Sequence, residues 1–169
     1  MGSVGTALGQ RDLLAFQKDL RAKIEHGQAR AGDLWVPALV AGQSWLFRAS
    51  DIQKIVLPEK VSRVPGAAQG VAGVVSLNGT IFTLLDFNVL QGKAPVVRTQ
   101  KSRIIFLDSQ SDTSSPVALL VDRVLDLLVL NSPEIAQSEK PFAAGTVRDA
   151  SDEPTYYVAD VAMLSQVIR

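Results

Sequence analysis

Residues 70–90 read GVAGVVSLNGTIFTLLDFNVL, two apolar runs (71–77 and 80–85) separated by Asn78-Gly79. Both residues of an Asn-Gly pair tolerate the positive φ that a type I′ turn requires, so the stretch predicts a β-hairpin. Val74, Val75, Leu77, Ile81, Phe82, Leu84 and Leu85 are β-branched, aromatic or large, which suits strands. The runs are near-continuous instead of alternating, which predicts a hairpin covered on both faces, in the middle of the fold. Asp86 can cap one helical turn over 86–90.

On the N-terminal side of this hairpin, runs 34–41 and 44–49 flank Gly42-Gln43 and read as a second hairpin. Residues 50–58 read as a helical turn and a short strand that Pro58 ends, and 59–69, with Pro65-Gly66, as a loop. Further upstream, Leu13, Phe16, Leu20 and Ile24 recur three or four apart over 12–26, one apolar face of a helix that Asp12 can cap and Gly27 can stop. So narrow a stripe fits a helix folded back on its own domain, or one that binds a partner. Residues 1–10 are small and Gly-rich and are expected to fray.

On the C-terminal side, 91–102 (QGKAPVVRTQKS) places Gly, Pro and basic residues between two apolar regions and reads as the internal boundary. Strands follow at 103–107, 117–121 and 124–130, around a polar loop at 108–116 and a turn at Asp122-Arg123. Short strands at 146–149 and 156–159 surround an acidic turn, and 160–168 is a helix capped by Asp160. About five strands, a boundary and about five more predict a mainly β protein of two small barrels. The expected division is an N-terminal extension (1–30) and one domain (31–169). Its first barrel spans about 34–90 and its second about 103–169, with room for exchange of strands. The two halves show no repeat at the level of sequence.

Composition narrows the function. The 169 residues suffice for one domain or two small lobes sharing a core. Lys and Arg total 17, as do Asp and Glu, and a zero net charge argues against nucleic-acid or membrane-surface binding. There is no cysteine, and the single histidine, His26, falls at a helix end. A Ser-His-Asp triad or a zinc site would therefore lack its parts. Asp108-Ser109-Gln110-Ser111-Asp112 resembles the start of a calcium loop but has Thr113 and Leu119 where Gly and Glu are required. The glycines match neither a P-loop nor a dinucleotide fingerprint. Asp122 and Asp126 could in principle do acid–base work, though Asp122 is more simply a turn residue. No cofactor, metal or catalytic residue is expected. Without a leader or a membrane-length apolar run, the chain is expected to be a cytosolic protein.

Two stretches resemble a known family. V-x-G-V-x-S-L-N-G followed by T-L-L-D-F (71–87) and V-A-L-L-V-D-R-V-L-D-L-L (117–128) look like motifs of the CheW-type adaptor domain of bacterial chemosensory arrays. Ile52-Gln53-Lys54-Ile55 with Val64-Pro65-Gly66 resembles an earlier family segment, and Tyr157-Val158-Ala159-Asp160 with the helix after it a later one. The resemblance covers residues 34–169. It implies two five-stranded SH3-like barrels about one hydrophobic core, with no catalysis. It also implies a link between the cytoplasmic tip of a methyl-accepting chemoreceptor and the regulatory domain of a CheA-type histidine kinase. By the same resemblance the receptor-binding groove would involve Ile52, Lys54, Gly73, Asn78 and Val124. Leu13, Phe16, Leu20 and Ile24 form a candidate partner helix. The sequence departs from the family where Asn78 replaces an Arg, Lys54 a Glu and Thr83 a Pro. The amphipathic 12–26 stretch and Trp35 resemble the type IV pilus (twitching, PilI-like) branch. The alternative is a divergent protein of this fold that has lost receptor coupling through Asn78 and Lys54.

Overall fold

The computed structural model describes residues 34–108, 115–131, 133–148 and 155–167. The helix expected over 12–26, with Leu13, Phe16, Leu20, Ile24 and His26, lies outside them, as do most of the 108–116 loop and the acidic turn before Thr155.

Strands β1 (Leu34–Val40) and β2 (Gln43–Arg48) form the first hairpin. It turns at Ala41-Gly42, with φ of 51° and 80°, one residue before the expected pair. A 3-10 turn (Ala49–Asp51) leads into β3 (Ile52–Val56). Strands β4 (Val71–Leu77) and β5 (Thr80–Asp86) are the Asn-Gly hairpin, and Asn78 and Gly79 take φ of 52° and 82°, as a type I′ turn needs. Helix α1 (Phe87–Leu90) is capped by Asp86, whose carboxylate accepts from Val89 N at 3.2 Å. Strands β6 (Arg103–Leu107), β7 (Val117–Val121), β8 (Arg123–Val124), β9 (Leu128–Val129), β10 (Ala143–Arg148) and β11 (Thr155–Ala159) follow. Helix α2 (Val161–Leu164) is capped by Asp160, as expected, and gives way to turns sooner than the 160–168 span expected.

One sheet has the order β3-β6-β7-β5-β4 and the other β10-β11-β2-β1-β8, with β9 also on β1. The first sheet is thus one contiguous stretch of chain, while the N-terminal hairpin β1–β2 completes the second. Residues 91–102 therefore lie inside the first lobe and do not separate two barrels. A basic segment containing proline looks the same whether it crosses between lobes or straps over the end of one.

The long apolar runs follow from this layering. Along β5, β6 and β7, Leu85, Ile105, Leu107, Val117, Leu119 and Val121 face a core shared with Leu34, Val36, Ala38, Trp45 and Phe47 of the other sheet. The alternate residues Phe82, Leu84, Ile104, Phe106, Ala118 and Leu120 fill the interior of their own lobe. Trp35, Leu46, Val147 and Val158 do the same in the second lobe. With both faces covered there is no alternation of apolar and exposed polar residues, and β6 and β7 are buried at every position, Arg103 at the start of β6 included. The Asn-Gly hairpin departs from the expectation of full cover. β5 is interior, but β4 is an edge strand, and the tip projects with Ile81 66% exposed.

Residues 124–130 were expected to be one strand and are two short ones. Both pair with β1, at Ala38–Val124 and Trp35–Leu128, which leaves one extra residue between the pairs. Pro37 O accepts from Leu125 N at 2.8 Å, so Pro37 turns its backbone toward this side. It has no N–H to return, and the ladder breaks there.

The lobes are also quasi-repeats in structure, although their sequences show no repeat. β4 and β10 are edge strands with a register shift ending at Gly73 and Gly145 respectively. The next residues, Val74 and Thr146, each bridge an isolated residue, Ser62 and Ala136. Each following strand leads into a four-residue helix capped by an aspartate, Asp86 at the end of β5 and Asp160 just after β11. Ala72-Gly73-Val74-Val75 then aligns with Ala144-Gly145-Thr146-Val147, and Asp86-Phe87 with Asp160-Val161. Hairpin loops of unequal length hide the repeat from a fixed-period reading.

Candidate partner-binding surface

Strand β3 presents Gln53 and Lys54 to solvent, with Ile52 half-buried against the shared core. The Gln53 side chain donates to Leu107 O at 3.3 Å, holding the start of β3 to β6. The β4–β5 turn presents Asn78, and Ile81 stands beside it. Gln53, Asn78, Thr80, Asp108 and Ser165 line one cleft of about 180 Å³, so β3, the hairpin tip and the end of α2 share a surface.

Of the residues expected in the groove, Asn78 and the Ile52-Gln53-Lys54 strand are thus accessible or half-accessible. Val124 is not: it is fully buried in the shared core, paired with Ala38. Gly73 is also buried. Its φ is 152°, and a Cβ there would overlap Ser62 O and lie 2.9 Å from Val61 Cγ1. The close approach at this glycine is to the chain's own backbone, so Gly73 offers a partner no surface. Ile81 is the member that sequence reading assigned to the core. Its signal was position: it is the second residue after an Asn-Gly turn, where a hairpin tip outruns its sheet.

Asp122 has a structural use. Its carboxylate accepts from Ala41 N at 3.1 Å and from Asn88 Nδ2 at 3.1 and 3.2 Å, joining the β1–β2 turn, α1 and the end of β7. Next to Asn88, Phe87 packs on Trp45 and Phe47, with ring centroids 4.7 and 6.2 Å apart. Asp86-Phe87-Asn88 therefore caps its own helix, fills the inter-lobe core and binds the Asp122 tether. Asp126 is exposed on the β8–β9 connection. Among the described residues no three His, Cys, Asp or Glu side chains group as metal ligands, and no helix is long and apolar enough to cross a membrane.

A family model for the CheW-like domain matches residues 37–168, which takes in both lobes. The chain belongs to the CheW-like domain family. Among characterised relatives, the chemotaxis protein CheW of Bacillus subtilis (strain 168) is 22% identical over 108 residues, or 64% of this chain and 67% of that protein. The crystal structure of the scaffolding protein TtCheW from Thermoanaerobacter tengcongensis matches with a TM-score of 0.65 at 16% identity. That match covers 76% of this chain and 88% of the other, a likeness of fold. In this CheW-like domain the exposed Asn-Gly tip and β3 edge belong to the contiguous lobe, and the tether at Asp122 holds that lobe against the discontinuous one.

Proposed function

We propose that this CheW-like domain is a non-catalytic adaptor of a bacterial chemosensory system. It couples the cytoplasmic tip of a methyl-accepting chemoreceptor to the regulatory domain of a CheA-type histidine kinase, in the cytoplasm at receptor arrays. The family match over residues 37–168 carries this reading. The geometry supports it: Asp122, which the sequence offered as an acid–base candidate, holds the lobes together, while Ile81 and Asn78 stand exposed on a projecting tip. We assign the receptor contact to that tip and the β3 edge, with Ile52, Lys54, Asn78 and Ile81, and the pathway to type IV pilus motility.

A second reading rests on Lys54 and Asn78, both exposed where the family carries Glu and Arg. In it the chain holds the kinase but has lost the receptor. Titration of the purified chain with the kinase regulatory domain and with a receptor-tip fragment decides between them. The adaptor reading expects a ternary complex on size exclusion, and kinase binding without receptor binding supports the second. Binding to neither rejects both. Deletion of the gene is expected to abolish twitching and leave swimming intact.

A further inference from the structure

The strap formed by residues 91–102 has a defined shape. Val96 N donates to Asp86 Oδ2 at 2.9 Å, Lys93 N to Asn88 O at 3.0 Å, and Thr99 N to Ser102 Oγ at 2.9 Å. Asp86 is 5% exposed, and its other oxygen caps α1. The strap is therefore pinned to the lobe, and with the 63–69 loop and the start of β4 it walls a cleft of about 730 Å³.

The cleft has a mixed lining. Its apolar part is aliphatic, including Val64, Val71, Val89, Val96 and Leu120. Its cations are Arg63, Lys93 and Arg98, all exposed, with no carboxylate partner in any contact among the described residues. The one carboxylate in the lining, Asp86, already accepts from two backbone N–H groups. A chain with 17 cationic and 17 anionic side chains has gathered around one apolar hollow three cations that pair with no carboxylate among the described residues.

We propose that this cleft binds a short acidic segment of a partner protein. Its carboxylates pair with Arg63, Lys93 and Arg98, and one or two aliphatic side chains enter the hollow. Guanidinium groups bind carboxylates through paired N–H donors, which suits them to this role. The lining disfavours a nucleotide or single-stranded nucleic acid, because it contains no aromatic ring to stack a base. The cations also rim a walled cleft with an aliphatic lining, whereas a lipid surface calls for a flat basic patch. The proposal goes beyond the receptor–kinase reading and does not depend on it. Because the strap is anchored before any ligand arrives, little ordering is needed on binding.

Random 12-residue peptides displayed on phage, selected on the full chain, provide the probe. The enriched peptides are expected to combine Asp or Glu with Leu, Ile or Val. Measured by fluorescence polarisation as synthetic peptides, they are expected to bind more weakly as salt rises. The triple variant Arg63→Glu, Lys93→Glu, Arg98→Glu changes only exposed side chains and should unfold at the wild-type urea midpoint. It is expected to weaken peptide binding by at least about tenfold, as removal of complementary interface charges does. Selection of peptides without acidic residues, no enrichment, or equal binding by the triple variant would each overturn the proposal. So would sedimentation of the chain with phosphatidylglycerol vesicles under conditions where no acidic peptide binds.

Discussion

Gly73 and Asp122 show how single residues are used here. With φ at 152° and Ser62 O against the place of a Cβ, Gly73 admits no side chain without moving the backbone. Gly73→Ala is expected to destabilise the protein by at least about 2 kcal/mol, read from urea denaturation, because backbone strain adds to the overlap. Gly73→Arg is expected to give a misfolded product, and not a folded monomer that merely fails to bind. Asp122→Ala removes the acceptor for Ala41 N–H and the Asn88 amide, at a cost of about 1–3 kcal/mol. In a double-mutant cycle with Asn88→Ala the two losses should fail to add, since the residues share the bond.

The element with the most dependents is the single turn α1. Asp86 caps it with one oxygen and pins the strap through Val96 N with the other. Asp86→Ala is therefore expected to do two things. It should lower stability by about 1–3 kcal/mol, the usual range for a lost cap and a buried donor left unpaired. It should also raise amide hydrogen exchange at Val96 and Lys93 more than in β6 or β7, because the strap would open before the sheet does. The same element-level logic explains β8 and β9. One proline in β1 lacks the N–H on the side where the ladder would run, so the apolar run 124–130 cannot be a continuous strand.

For the whole molecule, the decisive fact is that neither lobe owns the central core. Cutting the chain at 98/99 would part β3, β4 and β5 from β6 and β7, and β1–β2 from β8–β11. Each fragment, expressed alone, is expected to lack dispersed amide signals in NMR spectra and a cooperative melt. Mixed in equal amounts, the fragments are expected to recover both. The sharing also couples the proposed receptor-contact surface to the core. β3 and the Asn-Gly hairpin belong to one lobe, and the tether at Asp122 holds that lobe to the β1–β2 turn of the other.

The amino-acid sequence by itself determined the local structure. Asn78-Gly79 specified its turn because few other residues accept positive φ twice in succession. Asp86 and Asp160 specified helix starts through side chains that reach backbone only three residues away. The apolar runs specified strands covered on two faces and, with the motifs at 71–87 and 117–128, the family. What only the tertiary structure decided is which strands share a sheet, whether 91–102 divides or straps, and which groove residues reach solvent. Val124 and Ile81 are both aliphatic residues in apolar runs, and one is fully buried while the other is 66% exposed. The difference lies in neighbours distant in sequence. Val124 meets β1 and the shared core, whereas Ile81 lies beyond the start of β7, where β5 is paired with the edge strand β4 alone. Hydrophobicity selects residues for burial, but the contacts that bury them are long-range, and no local pattern encodes those.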